Sequence, residues 1–263
     1  VNGPINSALA WAGNLLYFGQ RAGTIFALDA RPGEEQWRYS TGGAIYPSFA
    51  VVDGVLYTGS ADQHIYALDA QTGKLRWKRE VGNWVVATPA VTKNGILIIG
   101  DQDGEMYILD ASNGTMRNQV RMGTSIDSSP MVVGDTAYLA SRSGHIVAFK
   151  YSQKRMPFLK AMRTVWFNLW VWNMAPEPIK LPGLVWTATL KNEMVSADMA
   201  TDGSRLFVVS YKGSLYALDI TSGKKIWQKS DLGKLQAAPL VSGDTVILAT
   251  GVGAIVGYDA ATG

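Results

Sequence analysis

Apolar runs of about five residues alternate with polar turns along nearly the whole chain, and the pattern predicts short strands rather than helices. Residues 45–83 show it most clearly. The runs AIYPSFAVVDG, VLYTGSA, HIYALDA and KLRWKREV are rich in β-branched and aromatic residues, and Asp53-Gly54, Ala61-Asp62-Gln63 and Thr72-Gly73 punctuate them. Runs such as FAVV and GILIIG are apolar at consecutive positions, which suits sheets covered on both faces. A buried parallel sheet would read the same way. It would need crossover helices of about 10–15 residues, and nothing between the runs has that pattern.

The strand pattern repeats. The segments IFALDARPGEEQW, IYALDAQTGKLRW, MYILDASNGTMRN, IVAFK, LYALDITSGKKIW and IVGYDAATG begin at Ile25, Ile65, Met106, Ile146, Leu215 and Ile255. Asp29, Asp69, Asp110, Lys150, Asp219 and Asp259 occupy one position of the unit, so the steps are 40, 41, 40, 69 and 40 residues. A unit of this length cannot bury its own core, and four strands per unit is the blade of a β-propeller. The predicted fold is therefore all-β, a propeller of four-stranded antiparallel blades with about six repeat units, forming one domain over residues 1–263. The long step is one repeat with an insertion at 151–183.

Within the unit, the Asp is placed to accept backbone N–H groups of its turn, and the Gly four residues later suits positive φ. Trp37, Trp77, Trp186 and Trp227 fall on the outermost strand, where an indole can dock on the next blade. The third repeat has Asn118 instead, so that junction is expected to be looser or packed by Met116 or Met122. The pattern AxDxxxGxxxW, present as Ala27-Asp29-Gly33-Trp37, Ala67-Asp69-Gly73-Trp77 and Ala217-Asp219-Gly223-Trp227, resembles the tryptophan-docking repeat of the pyrroloquinoline-quinone (PQQ) type. The resemblance covers all but about residues 151–183. It implies a propeller of the kind found in quinoprotein dehydrogenases, in the outer-membrane assembly lipoproteins of the BamB family and in extracytoplasmic sensor domains. Those are three functions on one fold.

Composition narrows the setting. The chain has no Cys, hence no disulfide framework and no thiolate metal site. A net charge of +3, scattered along the sequence, does not suggest nucleic acid. No run is long enough for a transmembrane helix and no signal peptide opens the chain. Both ends fall inside repeats, so the natural protein is expected to extend further, with room for a signal or lipid anchor. The expected location is periplasmic or extracellular.

Candidate chemistry is sparse. His64 and His145 flank equivalent hairpin turns and read as turn residues. Asp101-Gln102-Asp103-Gly104-Glu105 opens like a calcium loop but lacks the later ligands, and Asn113-Gly114-Thr115, formally a glycosylation sequon, sits on a repeat turn. The resemblance implies that a quinone would lie on the propeller axis, stacked on an indole, beside carboxylate and amide ligands to calcium. The residues placed to reach the channel mouth are Trp84, Ser125, Asp127, Ser196, Asp198, Lys234 and Gln236, with Trp84, Asp127, Asp198 and Gln236 as the cofactor-binding candidates. They form no closely spaced cluster. No catalytic residue and no metal site is assigned, and PQQ with calcium is the disfavoured alternative.

The segment from Lys154 to Trp186 carries four of the nine Trp. From Pro157 the spacing of Phe158, Met162, Val165, Trp166, Leu169 and Trp172 follows a helical face, with Lys154, Arg155, Lys160 and Arg163 near its start, and Pro176, Pro178 and Pro182 end it. An amphipathic helix over 154–175 is expected, either folded back on the propeller or contacting a membrane surface or protein partner through Phe158, Met162, Trp166, Leu169, Trp170 and Trp172. The sequence reading is a non-catalytic extracytoplasmic binding or scaffolding propeller, for which the resemblance implies a place in membrane-protein assembly. The alternatives are a PQQ-dependent dehydrogenase fragment and the sensor domain of a membrane receptor or kinase.

Overall fold

A computed structural model describes residues 3–5, 7–153, 166, 169, 171, 172, 174 and 182–263. Six antiparallel sheets follow one another along the chain. The first holds β1 (Ala10–Ala12), β2 (Leu15–Gly19), β3 (Thr24–Asp29) and β4 (Glu35–Ser40). The second holds β5 (Ala50–Val52), β6 (Val55–Gly59), β7 (His64–Asp69) and β8 (Leu75–Glu80), and the third β9 (Ala90–Val91), β10 (Ile96–Gly100), β11 (Glu105–Asp110) and β12 (Met116–Arg121). The fourth comprises β13 (Met131–Val133), β14 (Thr136–Ala140), β15 (His145–Lys150) and β16 (Leu184–Thr189). The fifth comprises β17 (Ala200–Thr201), β18 (Arg205–Val209), β19 (Leu215–Asp219) and β20 (Lys225–Lys229). The sixth has three strands, β21 (Leu240–Ser242), β22 (Thr245–Ala249) and β23 (Ile255–Asp259). Strand order within every sheet follows the sequence, so each repeat is one blade of a β-propeller.

The core lies between blades. Each of the hydrophobic clusters draws on two neighbouring sheets: Tyr57, Ile65 and Trp77 pack with Leu97, Ile99 and Tyr107, and Tyr138, Ile146 and Trp186 pack with Leu206, Val208 and Tyr216. That arrangement explains the continuous apolar runs, because β6, β10 and β14 are buried at every position. In the sixth sheet β23 instead alternates, and Val252 and Ile255 are exposed.

Docking makes the junctions specific. The Trp37 indole N–H donates to the Ala70 carbonyl of the next blade at 2.9 Å, and the Tyr17 hydroxyl donates to the same oxygen at 3.1 Å, using both lone pairs. Trp77 and Tyr57 treat Ala111 identically, and Trp186 and Tyr138 do the same at Ile220. Trp227 donates to Ala260. In each four-stranded blade the register slips just before the docking position, as between Ala67 and Leu68 opposite β8, and such a bulge adds local twist to the strand carrying the indole. The junction after Asn118 uses other means: Ile98 and Asn118 replace the Tyr and Trp together, and Met122 and Tyr151 fill the interface. Met122 is thus the substitute there, whereas Met116 packs into the preceding junction.

A second set of bonds runs from blade to blade through the segments ahead of the inner strands. The Ser48 N–H donates to Thr88 Oγ1, the Thr88 N–H to Ser129 Oγ, and the Ser129 N–H to Asp198 Oδ1, at 3.1, 3.2 and 2.6 Å.

Candidate functional site

In every blade but the fourth, which has Lys150 there, the turn after the third strand is built by its Asp. Asp69 Oδ1 accepts from the Gln71 and Thr72 N–H groups and the Thr72 hydroxyl, while Oδ2 accepts from Arg76, the residue at the bulge, at 2.8 Å. Those bonds, led by Arg76, hold the Asp69 carboxyl down to about 2 from its ordinary 3.8. Asp110, Asp219 and Asp259 are lowered likewise, led by hydrogen bonds from Ser112, Ser222 and Thr262. These carboxylates hold turns, and the bonds that close the turns lower their pKa values.

The candidate histidines open the third strands of their blades, at β7 and β15. His64 Nδ1 lies 2.9 Å from the Asp62 carbonyl and His145 Nδ1 lies 3.1 Å from Thr189 Oγ1. Asp101, from the calcium-like stretch, is fully buried: Oδ1 accepts from the Asp103 and Glu105 N–H groups and Oδ2 from the Tyr107 hydroxyl. Asn113 Oδ1 accepts from the Thr115 N–H, which closes the sequon's turn.

The channel-mouth candidates are held separately. Trp84 is half exposed, with its carbonyl bound by the Gln102 N–H. Asp127 accepts from Gln102 Nε2 at 2.6 Å and from Arg142 at 3.4 Å. Asp198 belongs to the interblade chain through Ser129, and Gln236 is exposed. No hydrogen bond among the described residues joins the four. Also among the described residues, no three His, Asp or Glu are grouped to hold a metal ion. A PQQ–calcium site needs convergent carboxylate and amide donors, and these residues do not fit that group.

The insertion leaves a visible apolar trace between β15 and β16. The backbone is helical at Trp166, Leu169 and Val171, and the Met174 N–H donates to the Leu169 carbonyl at 2.8 Å. Trp172 is 76% exposed and Met174 74%. Phe158, Met162 and Trp170 lie outside the described residues. Among the described residues no helix is long and apolar enough to cross a membrane.

With this geometry, comparison with known proteins is informative. A family model described as outer membrane protein assembly factor BamB matches residues 21–155 and 182–263. The chain belongs to this family. Its repeats are therefore PQQ-type tryptophan-docking blades of the BamB kind. The fold is similar to the crystal structure of BamB from Moraxella catarrhalis, with a TM-score of 0.78 and 19% identity over 99% of this chain and 73% of that one. It is also similar to the crystal structure of the computationally designed Ika8 protein, with a TM-score of 0.77 and 14% identity over 97% of this chain and 70% of that one. A comparison with curated protein sequences returns no match.

Two features of the site escape sequence reasoning. One is the use of the repeat glycine as an indole platform, which joins residues from different repeats. The other is Glu193, which enters the junction between the fourth and fifth blades because the loop after β16 is one residue longer than its counterparts.

Proposed function

We propose that this propeller is a non-catalytic scaffold on the extracytoplasmic side of a cell envelope, where it holds a protein partner during assembly of outer-membrane proteins. The observation that carries the reading is the match of the assembly-factor family to both sides of the insertion. The tied-up carboxylates of the channel mouth support a non-catalytic role, since Asp127 and Asp198 each have structural partners. The exposed Trp172 and Met174 support the insertion as a contact element. Aromatic residues of this kind suit the interface between water and lipid, and a short amphipathic segment lies in that interface rather than spanning it.

Replacing residues 154–182 with a short Gly-containing turn tests the contact element. The expected result is a folded propeller, with an unchanged β-sheet circular dichroism spectrum, that loses affinity for anionic liposomes. Equal liposome binding by both proteins would overturn that assignment. In the same preparation, PQQ and calcium should neither quench Trp fluorescence nor produce dye-linked alcohol or sugar oxidation. Either response would favour the dehydrogenase alternative.

A further inference from the structure

One position on each outer strand faces the next blade two residues beyond the docking position. Tyr39 pairs there with Ile25, Arg79 with Ile65, Val120 with Met106 and Ala188 with Ile146. At the first junction the Tyr39 ring meets Tyr66 edge-on, with centroids 5.8 Å apart. At the second, the Arg79 guanidinium donates to the Gly114 carbonyl at 3.0 Å. At the fourth the side chain is a single methyl. A cavity of about 540 Å³ opens at that place, and its walls include Ala188, Tyr216 and Gly223, the last two being counterparts of Tyr107 and Gly114.

The loop beside the cavity is unusual as well. Lys191 to Met194, four residues, separate buried Leu190 from buried Val195, where Gly82 to Trp84, three residues, separate Val81 from Val85. The longer loop brings Glu193 into the junction. Its Oε1 accepts from the Tyr216 hydroxyl at 2.9 Å and from Ser214 Oγ at 3.3 Å. The equivalent hydroxyls of Tyr66 and Tyr107 find carboxylates in their own hairpins, Asp62 at 2.6 Å and Asp101 at 2.7 Å. The fifth blade has Lys212 and Ser210 at those two positions, so Glu193 supplies the carboxylate from the neighbouring loop. Its other oxygen, Oε2, is buried and has no hydrogen-bond partner among the described residues. A buried acceptor left unpaired is costly and calls for a donor.

We propose that this junction receives an arginine side chain from a partner protein, on a segment that also carries an acidic neighbour. The guanidinium is planar, carries donors in a fixed fork, and so can serve Glu193 and the Gly223 carbonyl together. This chain already uses the same solution two junctions earlier on the ring, where Arg79 donates to the carbonyl equivalent to that of Gly223. Tyr216 forms one wall. Lys191 and Lys225 also line the cavity, with Lys225 Nζ bound to Gln228 Oε1 at 2.8 Å, and their charge disfavours an isolated cation while favouring carboxylates beside the arginine. The inference extends the scaffolding reading by naming a recognition chemistry.

Titration of the ¹⁵N-labelled chain with the blocked peptide acetyl-Glu-Arg-Glu-amide, followed by NMR, tests it. The amides of Glu193, Tyr216 and Gly223 should shift, and the citrulline analogue should bind about tenfold more weakly or worse, because it has lost the charge. Ala188→Arg, which fills the cavity from within, should abolish binding at an unchanged melting temperature, and Glu193→Gln should weaken it by a similar factor. If Ala188→Arg does not fold, Ala188→Val, the residue type of the third junction, serves in its place and should weaken binding. No binding at millimolar peptide, equal affinity for the citrulline analogue, or wild-type binding by the filled variants would each overturn the proposal. The assay contains neither membrane nor assembly partner, so its failure leaves the scaffolding reading standing.

Discussion

Trp37 lies against Gly73, Trp77 against Gly114, Trp186 against Gly223 and Trp227 against Gly263, each pair joining one blade to the next. The glycine therefore meets two demands at once, a φ near +70° for its turn and a bare surface for an indole. The two are separable by substitution. Gly33 has φ +74° and nothing within 4 Å of a Cβ placed there, whereas a Cβ on Gly73, at φ +69°, would stand 2.6 Å from the Trp37 ring. Gly33→Ala should cost about 1–2 kcal/mol for the left-handed backbone alone. Gly73→Ala should cost roughly 3 kcal/mol or more, because overpacking adds to the same strain. Urea denaturation compares them, and equal losses would contradict the docking account. On the same scale Trp77→Ala should cost about 3–5 kcal/mol, and Trp227→Ala less because that indole is only half buried. His64→Ala should change stability by less than about 1 kcal/mol, as for a turn residue.

At the scale of the element, the turn aspartates make the blades acid-sensitive. Their carboxyls are depressed in the folded chain, Asp69 from 3.8 to about 2, so their contribution is fully present above the unfolded value and is lost as pH falls through the folded one. The melting temperature should stay level from about pH 7 to about pH 5 and fall between about pH 4 and pH 2. Asp69→Asn should lower it at neutral pH and reduce its fall in acid. A mutant with the same acid slope as the parent would remove Asp69 from the explanation. Strands, turns and their order were legible in the sequence because each is written within one unit: short continuous apolar runs, an Asp and a Gly at fixed offsets. Interblade features were not. Whether Asn118 loosens its junction depends on Tyr151 and Met122, which come from other positions of the unit. The cavity at Ala188 is visible only when Tyr39 and Arg79 are seen in the same register.

Across the whole molecule, sheets stacked side by side place every apolar cluster between blades, so the propeller is a fold of interfaces whose rims and junctions are free to vary. The sequence located candidate site residues at those rims, and the structure assigns Asp127 and Asp198 to hydrogen bonds between neighbouring segments. Such bonds join residues far apart in the chain, Ser129 to Asp198 for example, and spacing within a repeat does not reveal them. Function at this scale is read from family membership together with the exposed aromatic insertion and the unfilled junction. The most direct test is the amount of folded outer-membrane β-barrel protein, measured by heat-modifiable gel mobility in cells with and without the full-length gene. The scaffolding account predicts fewer folded barrels when the gene is absent and recovery when it is restored. Unchanged barrel levels would contradict it.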